Sequence, residues 1–397
     1  MRSMNRSAAF AVMALVGLGS ARARAQEGPA ESSPRPWIES VAVEGTRHES
    51  VRRIVTSEAR LTAGRELSEQ EIRDAVRRVK RLPFILDARP SLRRGTSPGR
   101  YQLVIEVEED TKVGLSVDVS HDRGGFYSST LALAEIGVDQ FVGASSQISG
   151  FVSASGRRSA LSSEGIDWLV PEARLQFRRY DLAGDGTQLR LSASVSRFSG
   201  GGDESAGASF LLPLGGNHSV SFGGSVYRSH GFFLDEAFAR SAHTFAVAGV
   251  TWVYDTTDDP ASPLEGTRVA ATAAVNRSFG GMPSYMVTGF TAHASASASR
   301  AVPLGRSLAF EPHVALSRYL IGPSFDDLHG AGGGTLRYVK VGRRNHYRIF
   351  AEASLSGSLA LTPAGDHLGW RASAAAGLRS RFAVVTFRLS HSLGDGR

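Results

Sequence analysis

Residues 252–266 read WVYDTTDDPASPLEG. The stretch lies between two segments of strand-like alternation, 241–254 and 266–277. Asp255, Asp258, Asp259, Glu265, Pro260, Pro263 and Gly266 cannot continue a sheet ladder, because proline lacks an amide donor and aspartate and glycine favour turns. The stretch is therefore a turn. An acidic turn between long strands suits the water-exposed rim of a barrel; it also suits an ordinary hairpin.

The surrounding chain favours the rim. From residue 111 to 397 the pattern has period two, with turn residues every 10–15 positions. Strands are expected at 112–120, 126–137, 145–155, 167–181, 187–198, 204–213, 217–228, 241–254, 266–277, 284–299, 307–320, 346–361, 368–379 and 382–393. That makes fourteen, and an even number suits closure of an up-and-down barrel. In 346–361, Ile349, Ala351, Ala353 and Leu355 oppose Arg348, Glu352, Ser354 and Ser356. In 307–320, Leu308, Phe310, Val314 and Leu316 oppose Ser307, Glu311, His313 and Ser317. A soluble sandwich also alternates, but strand length, strand number and an export signal favour an apolar exterior in lipid around a polar lumen. If the chain enters from the periplasmic side, the near-end turns are 138–144, 181–187, 213–217, 255–265, 303–306 and 362–367. The long connections 155–166, 229–240 and 321–345 then fall on the far side, as barrels of this kind prefer.

The beginning of the chain reads differently. Residues 1–25 combine Arg2 and Arg6, the apolar run AAFAVMALVGLG and the A-x-A triplet Ala23-Arg24-Ala25, the pattern of a cleaved signal peptide. Residues 26–36 are a polar, Pro-containing linker. Residues 37–110 carry a short strand IESVAVEG, a helix with apolar Val51, Ile54, Val55 and Leu61, and a second helix with apolar Ile72, Ala75, Val76 and Val79. Ser68 followed by Glu71 is a capping-box signature for that second helix. Strands at 85–92 and 101–107 complete an α+β unit. Arg73, Arg77, Arg78, Lys80 and Arg81 cover the other faces of the second helix, either as a solvated surface or as a contact for an acidic client or a membrane surface.

Composition narrows the classes. The 397 residues contain no cysteine, which excludes disulfides, thiolate metal sites and cysteine nucleophiles. The net charge of +7 is spread along the chain without an aromatic-interleaved basic cluster, so nucleic acid is not an expected partner. Outside the N-terminus no run approaches the roughly 20 apolar residues of a membrane helix.

Three motifs resemble the bacterial surface antigen family, the BamA/TamA-like outer-membrane barrels with periplasmic POTRA domains. Asp255, Asp258, Pro263 and Gly266 resemble that family's D-x-R-D…P…G turn, with Thr257 where an arginine often stands. The β-α-α-β-β order, with I-x-x-V-x-V-x-G at 38–45, Gly64 and Phe84, resembles a POTRA domain. The turn GVDQFVGASSQ resembles the family's N-L-x-G-x-G turn. The resemblance implies a 14- to 16-stranded transmembrane barrel behind one POTRA-like domain. It also implies that the 321–345 loop folds into the lumen and carries an R-G-F/Y motif, where this chain has Leu336, Arg337 and Tyr338. Glu311 and Glu352 point inward by strand phase and are candidate partners for Arg337. The end, SLGDGR, lacks the terminal aromatic of such barrels.

Enzyme motifs G-x-S-x-G, H-E-x-x-H and G-x-x-x-x-G-K are absent. His293 and Ser295 share a strand face, the lumen face by phase, whereas a phospholipase pair of this kind would need the lipid face. No enzyme and no cofactor are expected. The implied function is insertion or export of unfolded client proteins in the bacterial outer membrane, with lipid and client as partners and the accessory subunits left open. The alternative is a passive or structural pore.

Overall fold

The computed structural model describes residues 35–110, 113–124, 127–159, 168–183, 186–198, 201–230, 242–259, 263–279, 290–321, 325–341, 347–362, 365–380 and 383–396. The expected signal peptide, residues 26–34 of the linker and most of the 155–166 and 229–240 connections lie outside the described residues.

The N-terminal unit comprises β1 (Trp37–Glu44), α1 (Glu49–Ala59), β2 (Arg65–Glu66), α2 (Glu69–Lys80), β3 (Ile85–Arg94) and β4 (Arg100–Glu109). The sheet order is β2-β1-β4-β3, with β1 and β4 parallel. The helices cover one face because their apolar residues recur at helical spacing. Val51, Ile54, Val55 and Ala59 of α1 and Ala75, Val76 and Val79 of α2 are buried with Val43, Ile105 and Val107 of the sheet. The second helix starts where Ser68 Oγ accepts from the Glu71 amide at 3.2 Å and Glu71 accepts from the Ser68 amide at 2.8 Å. Two of the four orphan amides of a helix start find partners this way.

The rest is a closed barrel of fifteen strands. They are β5 (Val113–Gly124), β6 (Tyr127–Val142), β7 (Ser146–Ser159), β8 (Trp168–Arg179), β9 (Gln188–Phe198), β10 (Gly201–Gly215), β11 (His218–His230) and β12 (Ala242–Asp255). Then come β13 (Gly266–Phe279), β14 (Phe290–Pro303), β15 (Leu308–Ile321), β16 (Phe325–Val341), β17 (Tyr347–Thr362), β18 (Gly365–Ser380) and β19 (Ala383–Gly396). Neighbours pair antiparallel, except that β19 runs parallel to β5 from Ala383↔Leu115 to Ser392↔Gly124. An odd number of up-and-down strands leaves the first and last pointing the same way, so closure requires one parallel seam.

Two expectations need correction. The strand that raises fourteen to fifteen is β16, and it occupies the segment read as the 321–345 loop. Its glycines read as loop punctuation, yet they answer to packing in the wall. A Cβ on Gly334 would lie 2.6 Å from the Phe310 ring, and one on Gly333 would lie 2.2 Å from the Leu355 carbonyl oxygen. The added strand also reverses the direction of the chain after it. The 362–367 turn, expected at the near end, joins β17 to β18 at the far end, opposite the N-terminal unit.

The barrel surface is inverted relative to a soluble protein. Ile136, Val152, Leu175, Phe310, Leu355, Phe387 and Leu389 are exposed on the exterior, while Gln147, Ser149, Ser153 and Gln176 are buried inside. Apolar-out and polar-in alternation is the pattern of outer-membrane barrels. Among the described residues no helix is long and apolar enough to cross a membrane.

Candidate functional site

The turn between β12 and β13 is organised by its own side chains. Asp255 Oδ1 accepts from the Thr257 amide at 2.9 Å and the Thr257 hydroxyl at 2.7 Å. Asp258 Oδ1 accepts from the amides of Leu264 and Glu265 at 3.0 and 3.1 Å. Short aspartate side chains can hold backbone amides that a ladder would otherwise hold. Gly266 closes the turn at φ +112°, and a Cβ there would lie 2.4 Å from the Thr256 carbonyl oxygen. Only glycine suits both the conformation and the space.

The turn does not end at its own strands. The Pro263 carbonyl oxygen accepts from Arg337 Nη1 at 3.1 Å, and Asp259 is ion-paired with Arg348. Arg337 is on β16, three strands along the wall from β13, or about 14 Å at roughly 4.8 Å per strand. The turn therefore reaches along the near-end rim to β16 and β17.

Arg337 is the hub of this arrangement. Its Nη1 lies 2.7 Å from Glu311 Oε2 on β15 and its Nε lies 2.6 Å from Glu352 Oε1 on β17. Register explains the geometry: Arg337 stands directly opposite Glu352, and Glu311 lies on the diagonal, paired with Thr335. The guanidinium fork spans two strands and one carbonyl, which a lysine ammonium cannot match. Leu336 and Tyr338 do not join it. Strand alternation turns them to the exterior, 44% and 41% exposed, so of the expected three-residue lumen motif Arg337 alone faces inward. Arg337 reaches the turn from a wall strand and not from a loop.

The same turn meets the N-terminal unit. Arg81, just past α2, donates to the Asp255 carbonyl oxygen at 2.5 Å and lies 3.1 Å from its carboxylate. Burial holds the Arg81 guanidinium below its ordinary pKa, with Asp255 opposing. Phe84 packs edge-on against Phe141 at the near end of β6 and Tyr180 just past β8, at centroid distances of 4.9 and 5.6 Å. Tyr180 is 2% exposed, burial pushes its phenol up to about 12, and its hydroxyl donates to Gln147 Oε1 at 2.7 Å. Ser50 donates to the Gly143 carbonyl oxygen at 2.6 Å, and Arg348 to that of Leu86 at 3.3 Å.

Sequence reasoning missed Arg81, Arg348 and Asp259 as site residues. An arginine one residue beyond a capped helix end is the nearest to a signal for Arg81; Arg348 was read only as a lumen-facing position. His293 and Ser295 are half-buried on the face opposite exposed Ala294 and Ala296, away from the exterior. Among the described residues no group of histidine and carboxylate side chains has metal-holding geometry.

Comparison with protein-family models and with curated proteins finds no match. Among solved structures, BamA from Haemophilus ducreyi lacking POTRA domains 1–3 is 10% identical, covering 91% of this chain and 86% of that one, with a TM-score of 0.39. CdiB from Escherichia coli is 13% identical over 91% and 73%, with a TM-score of 0.45. CdiB from Acinetobacter baumannii is 11% identical over 90% and 74%, with a TM-score of 0.48. At such identities and TM-scores these likenesses bear on neither activity nor partners.

Proposed function

We propose that the protein is a non-enzymatic outer-membrane factor that inserts or exports unfolded client proteins. In this reading residues 1–25 are a removed signal peptide, the barrel sits in the bacterial outer membrane, and the POTRA-like unit of residues 37–110 faces the periplasm. The observation that carries the reading is the parallel β5–β19 seam. Parallel pairing is slightly weaker per residue than antiparallel pairing, and among the described strands this seam is the parallel line in an otherwise antiparallel wall. β4 ends at Glu109 and β5 begins at Val113, so one lip of that seam follows the N-terminal sheet closely in the sequence.

β3 is an edge of the N-terminal sheet, and residues 92–94 of it are exposed. An edge accepts an extended segment through main-chain hydrogen bonds and reads little sequence, as a handler of many clients requires. The client then pairs with an opened seam lip. Every step is hydrogen-bond exchange and desolvation, so no cofactor is needed.

A passive pore is the second reading. It is favoured by the incorporation of the Gly-rich segment into the wall as β16, where a free loop would have served as a plug. Reconstitution separates the two. Liposomes carrying the purified protein are mixed with a urea-unfolded outer-membrane barrel, and folded client is scored by protease protection and heat-modifiable mobility. Insertion several-fold faster than in empty liposomes supports the factor. Equal rates with a steady ion conductance support the pore.

A further inference from the structure

A cavity of about 290 Å³ lies between the N-terminal unit and the near-end turns of the barrel. Five arginines line it: Arg60, Arg78 and Arg81 from the N-terminal unit, Arg178 and Arg268 from the barrel. The lining carboxylates are Glu58, 3.4 Å from Arg60, and Asp255, 3.1 Å from Arg81. Five positive charges against two negative ones leave a surplus of three.

The polar atoms of this cavity are also incompletely paired. Five buried side-chain polar atoms lack a hydrogen-bond partner among the described residues, and four of them belong to its walls. They are the Nε–H donors of Arg60, Arg81 and Arg178 and the acceptor Asn217 Oδ1. Asn217 Nδ2 is directed to Asp74 Oδ1 at 3.4 Å, which sets the amide so that its oxygen is the atom left over. Buried donors and acceptors are satisfied as a rule, so a cluster of exceptions calls for a ligand that satisfies them.

Arg60 adds an independent sign. Its backbone is left-handed, φ +52°, at the end of α1, where glycine usually stands. Strain of this kind persists where surroundings enforce it and concentrates at binding sites. Its guanidinium lies where a side chain at residue 186 would stand, because position 186 is glycine. Burial first, and then repulsion from Arg60, holds Arg78 below its ordinary pKa, a crowding that a bound anion would relieve.

We propose that this cavity is a binding site for inorganic phosphate or a phosphate monoester, seated between the N-terminal unit and the barrel. The charge surplus selects an anion, and the unpartnered Nε–H groups of Arg60, Arg81 and Arg178 lie in its walls, within a small side-chain shift of it. The free acceptor selects one that still carries a hydroxyl, as hydrogen phosphate does and sulfate does not. The volume lies just below the roughly 300–1,000 Å³ of pockets for drug-sized ligands, which suits a small anion or a phosphorylated headgroup and excludes a whole lipid. Filling the site would tie α1 and α2 to β8 and β13.

The test uses the full-length protein in a phosphate-free, sulfate-free maltoside detergent at constant ionic strength, with ³²P-phosphate in equilibrium dialysis. One saturable phosphate per chain is expected, poorly displaced by sulfate. Arg60→Gln and Arg178→Gln should each weaken binding at least tenfold. Glu58→Gln removes a repelling carboxylate and should tighten binding several-fold, a gain that misfolding cannot mimic. Absence of saturable binding in a parent whose extract holds no stoichiometric phosphomonoester, equal displacement by sulfate, or an affinity unchanged in all three variants overturns the proposal. Phosphorus NMR of the organic extract then separates the sources. A stoichiometric phosphomonoester lipid that blocks dialysis until extracted assigns a headgroup, and its absence assigns free phosphate; either supports the site.

Discussion

Arg337 on β16 and Glu352 on β17 stand opposite each other across the sheet, with Nε 2.6 Å from Oε1. The same guanidinium holds Glu311 and the Pro263 carbonyl oxygen, so one side chain ties three wall strands to the turn between β12 and β13. Asp255 at the base of that turn holds Arg81 of the N-terminal unit. A continuous path of charged and backbone contacts thus runs from the barrel wall to the N-terminal unit.

Removing the hub should release the turn. Arg337→Ala leaves Glu311 and Glu352 facing each other without a cation, and breaking a buried pair on one side costs roughly 3 kcal/mol. The urea midpoint of the heat-modifiable barrel should fall accordingly, and Arg337→Lys should recover only part of it. In planar bilayers the parent should give small, flickering steps and Arg337→Ala larger, unstable ones. Identical steady conductance in both would disprove the link between Arg337 and the turn.

Gly266→Ala should be far more damaging than Gly305→Ala. A methyl group at residue 266 meets the Thr256 carbonyl oxygen and the Thr257 Cα, both backbone, whereas nothing lies within 4 Å of one at residue 305. The left-handed conformation alone costs about 1–2 kcal/mol for a non-glycine residue. Limited proteolysis should cut the 255–266 turn in the first variant and spare it in the second.

Docking of the N-terminal unit should weaken markedly when one ring is removed. Phe84→Ala removes two edge-on aromatic contacts and a buried side chain, at a cost of about 3–5 kcal/mol, shared between the core of the unit and the interface. Distance measurements between spin labels on α1 and on the near-end turns should broaden in this variant. Tyr180→Phe keeps the packing and strands Gln147 Oε1, at about 1–3 kcal/mol, and should leave the distances narrow.

The start of α2 should respond to acid. Hydrogen bonds from Ser68, backbone first, and from Arg65 hold the Glu71 carboxyl down at about 2. A carboxyl with a depressed folded-state pKa stabilises at pH values above its unfolded value, and that contribution is lost as pH falls through the folded one. Protection of the amides in the first turn of α2, taken relative to the intrinsic exchange rate at each pH, should fall between about pH 4.5 and pH 2 in the parent. Glu71→Gln, uncharged throughout, should remove most of that dependence.

The barrel was legible because period two repeats: each of the fourteen expected strands overlaps a strand of the wall. The lumen facing of Glu311 and Glu352 follows from the same alternation, whereas Arg337 was expected to enter the lumen from a loop and faces it from a wall strand. β16 was not legible, since Gly330, Gly332, Gly333 and Gly334 signal a loop locally, and only the Leu355 backbone on β17 and the Phe310 ring on β15 account for Gly333 and Gly334. Nor were the pairs that tie the turn down. Arg81 and Asp255 lie 174 positions apart and Arg348 and Asp259 lie 89 apart, and no periodicity encodes such a meeting.

The central claim is that the β5–β19 seam opens for a client. Ser116 and Val384 are partners across it, and the chain has no cysteine of its own, so a double cysteine substitution gives one unambiguous crosslink. The decisive measurement is client insertion into liposomes by Ser116→Cys/Val384→Cys, oxidised and then reduced. Insertion abolished by oxidation and restored by reductant, with the N-terminal unit intact in both, is the predicted result. Insertion at the same rate with the seam locked would contradict the account.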